Sequence, residues 1–251
     1  MTRTVKQLII INVALFVLVH LFSGFPWLSV FGLVPSLVFA KLRVWQLASY
    51  MFLHLGLWHL VVNMLMLWFF GPAIESSWGR REFLRFYFFT GIGAGLCSFL
   101  TGFGSSVPVI GASGAIFGIL VAYALMYPET VILLFLFFPM KIRYAVLVLA
   151  GINLLGALSQ PHAGIAYFAH LGGGLFGYLY LRSEWLKRQL VFWRVPNSKD
   201  WQAKRAARKK QATAADLDRE VDAILDKVSK SGINSLSSKE RKILELKSKT
   251  N

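Results

Sequence analysis

Two residues able to do chemistry, Ser113 and His170, stand in runs of small residues within apolar stretches of this 251-residue chain. Ser113 lies in Gly111-Ala112-Ser113-Gly114, just ahead of Ala115-Ile116-Phe117-Gly118, where nothing bulky shields its hydroxyl. A helix opening at this serine would also point unpaired N–H groups and a positive dipole end toward the site, which suits an oxyanion. His170 lies in Ala169-His170-Leu171-Gly172-Gly173-Gly174-Leu175-Phe176-Gly177. At ~100° per residue, Gly173 and Gly177 fall within about 60° of His170, so the imidazole shares a face built for close helix approach. Should that face meet the one carrying Gly114 and Gly118, His170 would reach the Ser113 hydroxyl as its base. The same glycines also suit plain helix packing, so each motif alone reads either way.

A second polar group is His54-x4-His59-x3-Asn63. His59 and Asn63 differ by only ~40° on a helical wheel, so both can aim donors at one point, as an oxyanion hole needs or as core hydrogen bonding would use. His54 is turned ~140° from His59 on that wheel and is expected to tie down the preceding segment, 24–52. Asn153 is a further polar residue within an apolar stretch, where hydrocarbon demands a partner or a task for it. Acids are scarce: the first aspartate is Asp200, and before it stand Glu75, Glu82 and Glu129, at the ends of apolar stretches, and Glu184, just past the last of those stretches. No carboxylate is therefore placed to complete a Ser-His-Asp triad, and serine chemistry would run on a dyad whose imidazole is oriented by packing, with Phe117 offering a ring to stack on. The same scarcity removes an aspartyl intramembrane protease and weighs against a proton-coupled transporter. His-Glu-x-x-His is missing and His54 and His59 splay apart, so a zinc protease is not expected and no metal ligands are assigned.

The elements that must position these residues belong in a bilayer, since 56% of the chain is hydrophobic and 16% charged. Six spans of about the required length are expected near 7–23, 53–71, 83–102, 112–127, 142–159 and 164–182, giving an all-α polytopic bundle. Between the fourth and fifth, 128–141 is interrupted by Pro128 and Pro139 and reads as a loop or as an extended or re-entrant piece. Arg3, Lys6, Arg80, Arg81, Arg85, Lys141, Arg143 and the tail fall on one side if spans alternate, which places both termini in the cytoplasm. Lys41 and Arg43 are the basic residues on the other side.

Residues 1–181 hold nine Lys/Arg against three acids and 182–251 eighteen against nine, so the net charge of +15 is concentrated toward the tail. The expected division is a membrane domain at 1–182, a basic juxtamembrane linker at 183–212 and a helical hairpin at 213–251. In the linker, Lys187-Arg188, Lys204-Arg205 and Arg208-Lys209-Lys210 alternate with Trp185, Trp193 and Trp201, a pattern suited to anionic lipid headgroups or to a solvated linker. In the hairpin, Leu217, Val221, Ile224, Leu225 and Val228 recur at helical spacing, Gly232 marks a stop, and Ser237-x-x-Glu240 reads as a capping box. Cys97 lies within a span, excludes an intrachain disulfide and reads as a packing residue. No nucleic-acid partner is expected.

Taken in order, these motifs resemble those of the rhomboid family of intramembrane serine proteases over residues ~5–182. His54-x4-His59-x3-Asn63 is similar to the family's second-helix motif, Gly111-x-Ser113-Gly114 to its nucleophile motif, and Ala169-His170-x-x-Gly173-x3-Gly177 to the motif bearing its base. Gly71 through Glu75, ahead of Trp78-Gly79, is similar to the segment after the second helix. The resemblance implies that Ser113 attacks, that His170 serves as base and then acid, and that His59, Asn63 and the Ser113 N–H hold the oxyanion. It also implies cofactor-independent cleavage of other proteins in or near their transmembrane helices, from a water-filled cavity open to the non-cytoplasmic side. Two departures stand out: Val44-Trp45-Gln46 replaces the family's common Trp-Arg, which puts loop stability in doubt, and Phe117 stands where many members have tyrosine. The rival reading is a rhomboid-like scaffold that binds membrane proteins without cutting them. Retention of both Ser113 and His170 favours the enzyme. The compact six-span form without a transit peptide leads to an expectation of a bacterial cell membrane.

Overall fold

A computed structural model of the chain describes residues 1–134, 137–159, 164–193, 219–232 and 235–248. Apolar segments in hydrocarbon must satisfy their own backbone groups, which selects helices, and helices occupy all six expected stretches. They are α1 (Arg3–Leu21), α5 (Leu57–Trp78), α6 (Arg80–Thr101), α7 (Ser113–Met126), α8 (Ile142–Ser159) and α9 (Gly164–Trp193). Among the described residues, α1, α5, α6 and α8 are long and apolar enough to cross a membrane, while α7, also apolar, has only 14 residues. The helix α9 runs past the expected end at 182, because no proline occurs before Pro196 and a fall in hydropathy marks the edge of a bilayer, not the end of a helix.

At the centre of the bundle stands α7. Gly114 through Leu120 are all buried, as are Ala122 and Ala124, which fits a helix that is apolar all round. It packs on α5, α6 and α8, and α9 comes closest of all. A Cβ built on Gly173 would lie 1.9 Å from the Gly114 carbonyl oxygen, and one on Gly177 would lie 2.9 Å from the Gly118 Cα. Glycine at these two positions is what lets the backbones of α7 and α9 touch.

One end of the bundle is fastened by acids. The Glu75 carboxylate on α5 accepts from the backbone N–H groups of Thr4 and Val5, each at 3.0 Å, and from the Thr2 hydroxyl. It thereby caps the positive N-terminus of α1. At the same end Glu82 of α6 accepts from the Tyr180 hydroxyl of α9, and Ser77 of α5 meets Tyr127 at 3.0 Å. Among its described residues, the stretch 128–141 carries two extended segments, in line with one of its two readings. Here β1 (Val131–Leu134) and β2 (Phe138–Lys141) pair antiparallel, with Val131 opposite Lys141 and Leu134 opposite Phe138. Glu129 bridges to Lys141 and Arg143, each at 2.6 Å, and the Lys141 hydrogen bond holds its carboxyl below the usual carboxylate value.

The opposite end is built by the segment after α1. It contains α2 (Trp27–Phe31), α3 (Pro35–Lys41), α4 (Gln46–Ser49) and a 3-10 turn at Tyr50–Phe52. Pro35 opens α3 at a position where its missing N–H costs nothing. Gln46 corrects the expected weakness of this loop: it is fully buried, its amide donates to the Ser29 carbonyl at 2.7 Å, and its amide oxygen accepts from Val34 N–H at 3.1 Å. A neutral side chain with both donor and acceptor ends thus stitches the loop where the resembled family commonly has an arginine. Trp45 adds a 2.8 Å bond to the Val30 carbonyl. Leu33 and Val109 exchange backbone hydrogen bonds, tying this segment to the strand-like run leading into Ser113.

The chain divides into two compact units, Met1–Leu186 and Lys187–Asn251. In the second, a helix at 219–231 (α10) ends at Gly232, whose φ of +77° is the left-handed stop expected of glycine. The helix α11 (Ser238–Ser248) follows, opened by the anticipated capping box: Ser237 N–H donates to Glu240 at 2.7 Å, and Glu240 N–H donates back to the Ser237 hydroxyl at 3.3 Å. Lys227 of α10 reaches Glu240 at 2.9 Å and pulls its carboxyl down to about 2. The basic stretch expected to meet lipid headgroups lies, from 194 to 218, outside the described residues.

Candidate active site

Gly111 turns the chain into the site with φ +112°, a conformation L side chains rarely adopt, while its N–H donates to the Tyr50 carbonyl at 2.9 Å. Ala112 is the N-cap of α7, and the first intrahelical bond runs from Ile116 N–H to Ala112 O at 3.0 Å. The N–H groups of Ser113, Gly114 and Ala115 therefore precede the helical ladder and face outward from its start. Ser113 itself is half-buried at that position.

Across the glycine contact between α7 and α9, His170 Nε2 lies 2.7 Å from Ser113 Oγ. The two residues are 57 apart in sequence, and close backbone approach at Gly173 brings them within hydrogen-bond reach. The imidazole stacks on Phe117 with ring planes 4° from parallel and centroids 5.5 Å apart, the role anticipated for that ring. Its other nitrogen, Nδ1, lies 2.6 Å from Asn153 Oδ1 on α8. Packing was expected to orient this ring without help, and that expectation is incomplete: an amide from a third helix also holds it. Asn153 is 7% exposed. The only signal for it in the sequence was the cost of a buried amide in an apolar span, which demands a partner without saying which one.

His59 and Asn63 both belong to α5 and are one turn apart. The His59 ring packs on Gly111, where an added Cβ would sit 2.7 Å from its Cε1 and Nε2. His59 is thereby brought beside the residues leading into Ser113. Asn63 is buried and donates one amide hydrogen to the His59 carbonyl at 2.8 Å, which leaves its second amide hydrogen to be directed elsewhere.

His54 departs from its expected place. The wheel argument assumed a continuous helix, but α5 begins at Leu57, so His54 precedes it in extended chain. Its ring meets that of His59 edge-on at 5.0 Å, and its Nε2 accepts from Ala112 N–H at 3.5 Å. It therefore supports the loop before the serine. Among the described residues no cluster of His, Cys, Asp or Glu has the makings of a metal site.

Comparison with known proteins agrees with the motifs. The Rhomboid domain family matches residues 41–185, more than half of the chain, and a family of unknown function, DUF6576, matches 205–250. Rhomboid protein 1, mitochondrial, of Saccharomyces cerevisiae is 34% identical over 182 residues, covering 70% of this chain and 51% of that protein. Presenilin-associated rhomboid-like protein A, mitochondrial, of Danio rerio is 32% identical over 167 residues, 61% of this chain and 43% of its own length. Rhomboid protease GluP of Bacillus subtilis is 40% identical over 93 residues, 37% of this chain and 18% of GluP. The chain spans about half or less of the length of these relatives. Two of the three bear mitochondrial names and the third is bacterial, so these relatives do not single out the expected bacterial cell membrane.

Proposed function

The chain belongs to the rhomboid family of membrane proteins, and from that premise we propose that it is an intramembrane serine endopeptidase acting on the transmembrane helices of other proteins. The observation that carries this reading is the 2.7 Å contact between His170 Nε2 and Ser113 Oγ. In the proposed reaction His170 takes the hydroxyl proton as Ser113 Oγ bonds to the scissile carbonyl carbon. The carbonyl oxygen becomes an oxyanion at the start of α7, held by the Ser113 N–H and by donors from His59 and Asn63. His170 passes its proton to the leaving amine, the C–N bond breaks, and water then hydrolyses the acyl-enzyme by the same steps. All these groups are side chains or backbone of the chain itself, so no cofactor enters.

Six helices would span the bilayer, with the Glu75 end of the bundle in the cytoplasm. That end gathers Arg3, Lys6, Arg80, Arg81, Lys141 and Arg143, as the positive-inside rule requires. A 14-residue helix rises only ~21 Å, against ~30 Å of hydrocarbon, so a serine opening α7 from the far side lies ~10 Å below that surface. Water must therefore enter from the non-cytoplasmic face to complete hydrolysis. Ser113→Ala removes one hydroxyl and is expected to abolish cleavage of a transmembrane reporter by purified protein while leaving thermal unfolding unchanged. Undiminished cleavage by that variant would overturn the assignment. Fluorophosphonate labelling that needs both Ser113 and His170 separates the enzyme from a binding scaffold.

A further inference from the structure

We infer that Asn153 is a positioning residue for His170, fixing the tautomer in which Nδ1 carries the proton and Nε2 is free to accept one from Ser113. The inference rests on the proposed serine chemistry for its catalytic meaning, although the tautomer itself does not.

The hydrogen bonds leave little choice of arrangement. Asn153 Nδ2 donates to the Leu149 carbonyl, one turn back on α8, at 2.7 Å. That bond settles which end of the amide faces α9: the oxygen, which only accepts, lies 2.6 Å from His170 Nδ1. Nδ1 must then be the protonated nitrogen of a neutral ring. Nε2 keeps its lone pair, 2.7 Å from Ser113 Oγ, and the hydroxyl becomes the donor. A ring with the opposite tautomer would set two acceptors against each other at Nδ1 and could not take the serine proton at Nε2.

The chemistry of the position explains the choice of an amide. Asn153 is buried in α8, whose other buried residues are Ile142, Ala145, Val146 and Ala157, and an unpaired carboxylate there would carry a large desolvation cost. The ionisable group that acts on His170 from another helix is His59 of α5, and the carboxylates of residues 1–182, at Glu75, Glu82 and Glu129, belong to the opposite end of the bundle. A neutral acceptor thus does the orienting part of a triad aspartate's work without supplying its charge. Stacking on Phe117 sets the plane of the ring and Asn153 sets its rotation within that plane.

The test uses the full chain in liposomes with a transmembrane reporter, together with 15N-imidazole NMR of His170. Asn153→Ala is expected to lower kcat by roughly 10- to 100-fold with KM unchanged, less than the ~10⁴-fold attached to a charged triad aspartate. Its His170 spectrum should move from the Nδ1-protonated form toward a mixture of tautomers. Asn153→Asp keeps an acceptor in place and is expected to restore most of kcat. Its added charge favours imidazolium and so shifts the acid limb of the pH–rate profile to higher pH. Wild-type activity in Asn153→Ala, or an unchanged tautomer, would overturn the inference, as would equal losses in both variants with the acid limb unmoved. If the wild-type protein proves inactive while Asn153→Ala still shifts the tautomer, the positioning stands and the protease reading falls.

Discussion

At the end of the bundle where α1 begins and α5 closes, carboxylates hold the helices together: Glu75 takes the first N–H groups of α1, and Glu82 takes the Tyr180 hydroxyl. At the other end Ser113, His170 and Asn153 join three helices with no carboxylate among them. The contrast follows from where each sits. Near the aqueous edge a charge can be partly hydrated and can use a helix dipole, whereas deeper in the bundle only neutral donors and acceptors avoid the cost of desolvation. Charged fastening is therefore placed at one end and the neutral Ser113–His170–Asn153 cluster at the other.

The comparison can be broken hardest at the neutral end. Gly173→Ala puts a methyl group 1.9 Å from the Gly114 carbonyl oxygen. Forcing α7 and α9 apart is expected to cost about 3 kcal/mol and to remove cleavage with it, as read by thermal unfolding and reporter assay. Unchanged stability would show that the neutral end does not depend on backbone contact. At the acidic end, Glu75→Gln keeps the size and removes the charge that faces two N–H groups and a hydroxyl. A loss of about 2 kcal/mol is expected, and no loss would remove charge from the account of that end. Gln46→Leu leaves Val34 N–H without its partner and should lower stability by about 1–2 kcal/mol, with cleavage retained in protein that remains folded. The smallest effect lies in the second unit. Glu240 is held at about 2 from an ordinary 4.5, so its contribution is present above pH 4.5 and is lost as pH falls from there through 2. Carboxyl NMR in Lys227→Ala should return that midpoint toward 4.5.

Much of this arrangement could be read in the residues. Hydropathy located α8 at 142–159 to the residue and α7 within one residue at each end, because a segment buried in lipid or protein on every side has no polar face to blur its limits. Ser113, His170 and Phe117 were legible because glycines four apart marked the faces that meet. His54 was misplaced by assuming helix before Leu57. Asn153 was visible as an anomaly, but its partner was not, since a contact 17 residues away across a loop leaves no periodic trace. The short helices α2 to α4 went unforeseen because four to seven residues hold too few turns to show a period.

The brevity of α7 has a consequence for how such a protein can be adapted. A helical turn rises ~5.4 Å, so the level at which a hydroxyl sits is set by residue count together with the register of α7 against α9. Four residues inserted after Ala124 would raise it by about one step while nearly preserving its angular placement. That step would also carry Ser113 Oγ away from His170 Nε2, which lies 2.7 Å off on α9, so the insertion is expected to remove cleavage, and retained cleavage would show that α7 takes up the added turn elsewhere.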